Sequence, residues 1–133
     1  MTCHSARRRR ASMMLALTAI AAMSLASVPA NAAGDAARGD ELYNSRCIAC
    51  HSLDANRVGP AHRGVFGRKA GAVADFDYSP AVRNAGIVWN EDTLGKWLTD
   101  PGALIPGNKM GFRVNTPKDR DDIIAFLKRQ SGK

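Results

Sequence analysis

The sequence is poor in thiols and in aromatic rings. Its 133 residues include three cysteines, and Phe, Trp and Tyr together make up 6% of the chain. Cys3 lies in a segment that is expected to be removed, so Cys47 and Cys50 are left and could form at most one bond. A disulfide scaffold is therefore excluded. A domain of about 100 residues with so few aromatics buries only a modest core, and a large apolar cofactor would help to fill it.

The chain also lacks a hydrophobic run long enough for a membrane-spanning helix. Residues 7–10 are all arginine, the apolar run over residues 13–28 follows, and residues 30–32 have the A-x-A pattern that signal peptidase reads. A retained membrane helix is the alternative, but a run of 16 residues falls short of the roughly 20 needed to span a bilayer. We predict a signal peptide over residues 1–32, cleaved near Ala32 after general secretory export to the periplasm, with no stable membrane insertion.

No single charge sign dominates the remaining chain, residues 33–133. Removing the four signal-peptide arginines lowers the formal charge from +7 to +3, because 15 basic residues then face 12 acidic ones. Lysines and arginines are scattered singly among acids, without the basic, aromatic-rich face typical of nucleic-acid binding. We expect no nucleic-acid partner.

Helical periodicity is present and strand alternation is absent. Three segments are predicted to be helical, each after a capping residue: residues 36–47 after Asp35, a helix after Asn90 that Pro101 and Gly102 stop, and residues 117–130 after Thr116. Residues 52–86 and 103–115 contain many Gly and Pro breakers, and such long irregular segments indicate chain wrapped around something. The predicted fold is all-α, with three main helices and long loops.

Residues 47–51 read Cys-Ile-Ala-Cys-His, the attachment pattern of c-type haem. Two thiols at this spacing can add to both haem vinyl groups within one turn of chain, which carries His51 beneath the iron. A thioredoxin-like pair would need a helix that starts at the cysteines after a strand, and here the cysteines end a helix. A zinc site would have only Cys47, Cys50, His51 and His62 as ligands, and the adjacent Cys50 and His51 make that cage awkward. We predict one haem c, covalently held by Cys47 and Cys50.

The sixth iron ligand is argued by elimination. Met110 is the only methionine outside the predicted signal peptide. Methionine is commonly core filler, but residues 105–112 form a polar, Pro- and Gly-containing loop with no apolar stripe to complete. Such a loop can present a thioether to the iron opposite His51. A Met/His pair raises the reduction potential and leaves no open iron position.

With these motifs the chain resembles the class I cytochrome c family over essentially all of residues 33–133. The matching pieces occur in family order: Gly39 and Tyr43, residues 47–51, Gly59 and Pro60, residues 66–71, 76–79, 84–89, 92–94, 105–110 and 122–127. The resemblance implies the cytochrome c fold, with three main helices and long loops around one haem. It also implies that Gly39 and Tyr43 meet Phe126 where the first and last helices cross.

The resemblance implies further haem contacts. The carbonyl of Pro60 would accept the ring N–H of His51. The other implied contacts are Arg68, Tyr78 and Trp89 around a propionate, Phe112 at the haem edge, and Trp97 and Asn108 near the methionine. The family commonly has Tyr at Trp97 and Thr at Asn108, so the polar network at the methionine must differ here. It also commonly has Leu at the position of His62. Arg46 and Lys109 would contribute to a basic docking ring.

The function implied is that of a monohaem one-electron carrier between respiratory or dehydrogenase complexes, and not an enzyme. Its partners would be redox proteins docking at the haem edge, and we expect a monomer. Two alternatives remain at this stage. A gas-binding or enzymatic haem protein needs an open iron position. The helical-bundle type of such proteins has its haem motif near the C-terminus, whereas here the motif, residues 47–51, lies near the start of residues 33–133. A dedicated dehydrogenase subunit would have the same sequence features as a free shuttle.

Overall fold

The computed structural model describes residues 33–132 together with Met1. The signal peptide predicted over residues 1–32 lies outside the described residues, apart from Met1. The helices, in chain order, are α1 (Ala36–Arg46), α2 (Pro80–Arg83), α3 (Glu91–Thr99), α4 (Pro101–Leu104) and α5 (Pro117–Ser131). No helix in this described part of the chain is long and apolar enough to cross a membrane.

The all-α prediction is confirmed. Helices α1, α3 and α5 are the three predicted main helices. The described residues contain no β-strand, and a single antiparallel bridge joins Lys69 to Val88. The core is built mainly from the inner faces of the main helices, and its buried members are Leu42, Tyr43, Val65, Ala70, Trp89, Leu94, Leu98, Ile105, Val114, Ile123, Ile124, Phe126 and Leu127.

Two one-turn helices were not predicted. Each begins with a proline behind a capping side chain: Ser79 Oγ accepts from the N–H of Val82 at 3.3 Å, and Asp100 Oδ1 accepts from the N–H of Ala103 at 3.2 Å. Pro101 was interpreted as a helix stop. Helix α3 does end at Thr99, but Pro101 then occupies the first position of α4, where a proline loses no hydrogen bond. Four residues are too few to show helical periodicity.

The capping predictions are confirmed at two of the three main helices. Asp35 accepts from the N–H groups of Ala37 and Arg38, and Asn90 forms a reciprocal capping box with Thr93. Thr116 occupies the N-cap position of α5 but makes no side-chain capping hydrogen bond. The first-turn acid Asp119 instead faces two arginines of α1.

Helices α1 and α5 cross at closest approach beside Gly39. A Cβ atom on Gly39 would overlap the backbone of Asp122 and the Cβ of Phe126, so only glycine permits this crossing. The rings of Tyr43 and Phe126 lie with centroids 5.1 Å apart. The predicted meeting of Gly39 and Tyr43 with Phe126 is therefore confirmed.

The same crossing is tied by Asp122, whose side chain is fully buried. Its carboxylate accepts from the backbone N–H of Asp35 at 2.6 Å, from Lys118 Nζ at 2.7 Å and from Arg38. Burial alone would raise the pKa of Asp122, but the hydrogen bonds from Lys118, Asp35 and Arg38 outweigh it and lower the pKa to about 2. The group is therefore a carboxylate at neutral pH.

Candidate cofactor site

The end of α1, the inner faces of α3 and α5 and the long loops enclose a cavity of about 850 Å³. This volume lies within the roughly 300–1,000 Å³ typical of ligand and cofactor sites. Helix α3 contributes Leu94 and Leu98 to the wall, and α5 contributes Ile123 and Leu127. The cavity therefore has a largely apolar floor made of core residues.

The structure brings all the sequence-predicted site residues except Asn108 to this one cavity. Those that line it are Cys47, Cys50, His51, Pro60, Arg68, Tyr78, Trp89, Trp97, Met110 and Phe112. They come from segments far apart in sequence. The long irregular segments do wrap a single space, as their breakers predicted.

Cys47 and Cys50 lie on a tight turn that closes α1. Cys47 caps the helix, its N–H bonding to the carbonyl of Tyr43 at 2.9 Å, and the N–H groups of Cys50 and His51 both return to the Cys47 carbonyl, at 3.1 and 2.8 Å. Both thiols are free. Burial raises the pKa of Cys47 to about 11. The pair ends a helix rather than starting one, so the thioredoxin-like alternative does not fit.

His51 is held with a defined tautomer. Its Nδ1 lies 3.0 Å from the Pro60 carbonyl oxygen, and because a carbonyl can only accept, Nδ1 carries the proton and Nε2 keeps a lone pair. A Cβ on Gly59 would overlap the His51 ring, so the chain passes close against it. Burial lowers the pKa of His51, with a smaller opposing effect of the Pro60 hydrogen bond. The neutral imidazole is the form that binds a metal.

His62 lines the cavity beside His51. Burial, with repulsion from His51 and Arg68, lowers the pKa of His62 well below its usual value. Among the described residues, no group of three or more His, Cys, Asp or Glu side chains is arranged to hold a metal ion. The four zinc ligands considered from the sequence therefore do not form a cage.

Met110 lines the cavity from the second loop, but Asn108 does not. The resemblance put Asn108 near the methionine, and its side chain lies there but turns back onto its own loop instead of lining the cavity. Asn108 Oδ1 accepts from the Met110 N–H at 2.7 Å, and Nδ2 donates to the Ile105 carbonyl at 2.8 Å. An asparagine is the right length to bond the backbone two residues on, so it supports Met110 from behind.

Arg68 and Tyr78 lie on the cavity wall, and both side chains form hydrogen bonds with the protein backbone. Arg68 donates to the carbonyls of Ala61 and Arg63, both at 2.8 Å, and burial lowers its pKa. The Tyr78 hydroxyl accepts from the N–H of Val73 at 3.3 Å. A guanidinium has five N–H donors, so Arg68 keeps donors beyond those that fix it to the backbone.

Sequence reasoning missed several groups at the cavity. Arg57 lines it and donates to the carbonyl of Ile48, inside the cysteine turn, at 2.7 Å. Asp75 and Asp77 also line it, so its charged residues include acids as well as bases. Arg46, expected in a docking ring, forms an ion pair of 3.0 Å with Asp119. These contacts join irregular segments or separate helices, where no sequence period could have indicated them.

These donors fit a haem attached through two thioethers. The cavity offers two free thiols on one turn, a neutral histidine with a free Nε2, a thioether and an apolar wall, a set that suits a haem iron and its macrocycle. An all-α domain with such a site belongs to the class of c-type haem proteins.

Comparison with known proteins agrees. Residues 36–131 match the Cytochrome c family. The chain is 46% identical to cytochrome c of Cochliobolus lunatus over 102 residues, covering 74% of this chain and 94% of that protein. It is 43% identical to cytochrome c2 of Rhodomicrobium vannielii over 110 residues, covering 80% and 87%. The structure of cytochrome cH from Methylobacterium extorquens superposes with a TM-score of 0.69 at 42% identity, covering 72% of this chain and 99% of that one.

The chain therefore belongs to the cytochrome c family. It binds one covalent haem c through Cys47 and Cys50, and it is a monohaem electron carrier.

Proposed function

We propose that the iron of this haem is held by His51 Nε2 and Met110 Sδ, and that the protein is a one-electron shuttle with no bond-making activity. The observation that carries the proposal is that both side chains line the cavity that holds the cysteine turn. The hydrogen bond of His51 Nδ1 to Pro60 supports it, because that bond leaves Nε2 as the ligating nitrogen.

The haem, when bound, supplies the ferric/ferrous couple. The residues of this chain keep the site dry and fixed: Leu94, Leu98 and Ile123 exclude water, and Pro60 holds the His51 tautomer. Two protein ligands leave no open position for a substrate or for oxygen. One electron can then enter and leave without any proton or ligand exchange.

We further propose that residues 1–32 are a signal peptide and that residues 33–133 work in the periplasm as a monomer. The family match, residues 36–131, lies wholly within the segment that would remain after cleavage. The partners of the protein would be respiratory or dehydrogenase complexes that dock at the cavity rim, beside Lys109 and Phe112. N-terminal sequencing of the exported protein should begin at or within a few residues of Ala33, and an intact N-terminus would refute the cleaved signal peptide.

The iron ligands are tested with Met110→Ala. The native ferric protein should show the weak far-red sulfur-to-iron band. The variant should lose this band, have a lower potential and bind carbon monoxide when reduced, while it keeps its covalent haem. Phe112→Ala, which removes a 44% exposed side chain of the same cavity, should keep the band. A band that survives in Met110→Ala, or ready carbon monoxide binding by the native reduced protein, would rule out Met110 ligation.

A further inference from the structure

His62 stands between His51 and Tyr43. Its ring is stacked on the His51 ring, with centroids 4.0 Å apart and planes inclined by 20°. Its Nδ1 lies 3.2 Å from the Tyr43 hydroxyl oxygen. The three side chains therefore form one series of contacts, which starts on α1 and ends at the histidine proposed to bind the iron.

The surrounding backbone fixes this series in place. The N–H of His62 donates to the Ser52 carbonyl at 2.9 Å, and the His62 carbonyl accepts from the N–H of Val65 at 2.9 Å. Tyr43 is 3% exposed and packs on Phe126. Tyr43 therefore cannot move without disturbing the core, and the backbone of His62 is held on both sides.

The His51 side chain has little remaining freedom to move. The turn after Cys50 fixes its backbone, the Pro60 carbonyl fixes Nδ1 and Gly59 lies close against the ring. Rotation of the ring plane is then opposed by the flat face of His62. A leucine, common at this position in the family, offers neither a flat face nor a polar atom.

We propose that His62, supported by Tyr43, is a positioning residue that sets the ring plane of His51 and lowers the reduction potential of the haem. The inference rests on the proposed ligation by His51. The His62 imidazole and the Tyr43 hydroxyl are polar groups close to His51, and they would stabilise the extra positive charge of the ferric state relative to an aliphatic neighbour. Because the His62 ring is stacked on the His51 ring, the orientation of His62 sets the orientation of His51.

The test uses the haem-loaded protein at one neutral pH, with two readouts: the midpoint potential, and the spread of the haem methyl proton signals in the ferric state, which depends on the axial ring plane. His62→Leu removes both the flat face and the polar atoms, so it should raise the potential and change the methyl pattern. His62→Phe keeps a ring and should raise the potential with a near-native pattern. Phe66→Leu makes a matched ring-to-leucine change outside the cavity lining and should alter neither readout.

Tyr43→Phe removes only the hydroxyl and should raise the potential by less than His62→Leu. If Tyr43 acts through His62, this increment should vanish in the His62→Leu background. An increment of equal size in both backgrounds, or a native potential and methyl pattern in His62→Leu, would overturn the inference. If His62→Leu fails to mature, a native potential in both His62→Phe and Tyr43→Phe would overturn the inference instead.

The far-red band separates this inference from the proposed function. All variants at His62 and Tyr43 should keep the band, because Met110 is not touched. Loss of the band in His62→Leu would overturn a role confined to the His51 side. Absence of the band in the native protein would instead refute the Met110 ligation of the proposed function, while the potential and the methyl pattern would still decide the role of His62.

Discussion

Asn108 Oδ1 accepts a hydrogen bond of 2.7 Å from the backbone N–H of Met110. Through Nδ2 the same side chain donates to the Ile105 carbonyl at 2.8 Å. One amide therefore bridges the loop on both sides of Pro106 and Gly107 and fixes the backbone that presents the thioether. The position of Met110 depends on a side chain that does not itself line the cavity.

Asn108→Ala should weaken the proposed bond of Met110 to the iron. Losing two hydrogen bonds of about 1 kcal/mol each should raise the affinity of the ferric protein for added imidazole by roughly 5- to 30-fold. An optical titration with imidazole measures this. Asn115→Ala, at an exposed position of the same segment, is the control and should bind imidazole as the native protein does. Equal affinities in the two variants would show that Asn108 does not support Met110.

Gly59→Ala should prevent normal assembly of the site. The added Cβ would overlap the His51 ring, which cannot retreat because the Pro60 carbonyl and the cysteine turn hold it. We expect little covalent haem protein, measured as the yield of haem-stained protein of the correct mass. Gly132→Ala is the control, since a Cβ there meets no atom within 4 Å. A native yield from Gly59→Ala would mean that the loop is not packed against His51 as described.

The three main helices could be predicted from the sequence because each follows a residue of a capping type and carries an apolar stripe. Helix α2, four residues long, has neither enough turns for a period nor a buried residue. The cysteine turn and His51 follow from a pattern within five residues, so local sequence suffices. The pair of Arg46 with Asp119 could not be predicted, since it depends on how α1 crosses α5. Asn108 shows the same limit, because only the loop conformation decides which way its amide turns.

Asp122→Asn should destabilise the fold and flatten its response to acid. The pKa of Asp122 is lowered to about 2 in the folded protein from an ordinary value of 3.8. Its stabilisation is therefore fully present above about pH 4 and is lost as the pH falls towards 2. The substitution should lower the free energy of unfolding by roughly 2–4 kcal/mol at neutral pH. We expect less than for a fully buried ion pair, because the partners Arg38 and Lys118 are half-exposed.

Denaturant unfolding of the ferric protein at several pH values measures both effects. Asp121→Asn removes the neighbouring, exposed carboxylate and serves as the control; it should change the free energy of unfolding little. The native protein should lose stability between about pH 4 and pH 2 more steeply than Asp122→Asn. Parallel curves for the two proteins would show that Asp122 does not contribute to the acid response.

Charges of both signs lie at the cavity. Lys109 is exposed and lines it beside Met110, and it forms no ion pair with the residues that the structure describes. Asp75 also lines the cavity and is exposed. Arg46 is partly neutralised by Asp119. We therefore expect partner steering to respond to single charges of either sign at the cavity.

Small oxidants of opposite charge should report this balance. A unit charge roughly 10 Å away changes the encounter energy in water by about 0.4 kcal/mol for each unit of charge on the oxidant, so for a triply charged oxidant the change is about 1.2 kcal/mol, or about eightfold in rate before screening. At low ionic strength Lys109→Gln should slow oxidation of the reduced protein by anionic ferricyanide, and Asp75→Asn should speed it. Asparagine suits the positive φ of 57° at that position. With the cationic tris(phenanthroline)cobalt(III) both effects should reverse, and added salt should remove them.

Lys69→Gln makes the same charge change at a residue that does not line the cavity. If it alters the rates as much as Lys109→Gln, steering follows net charge and not the charges at the cavity.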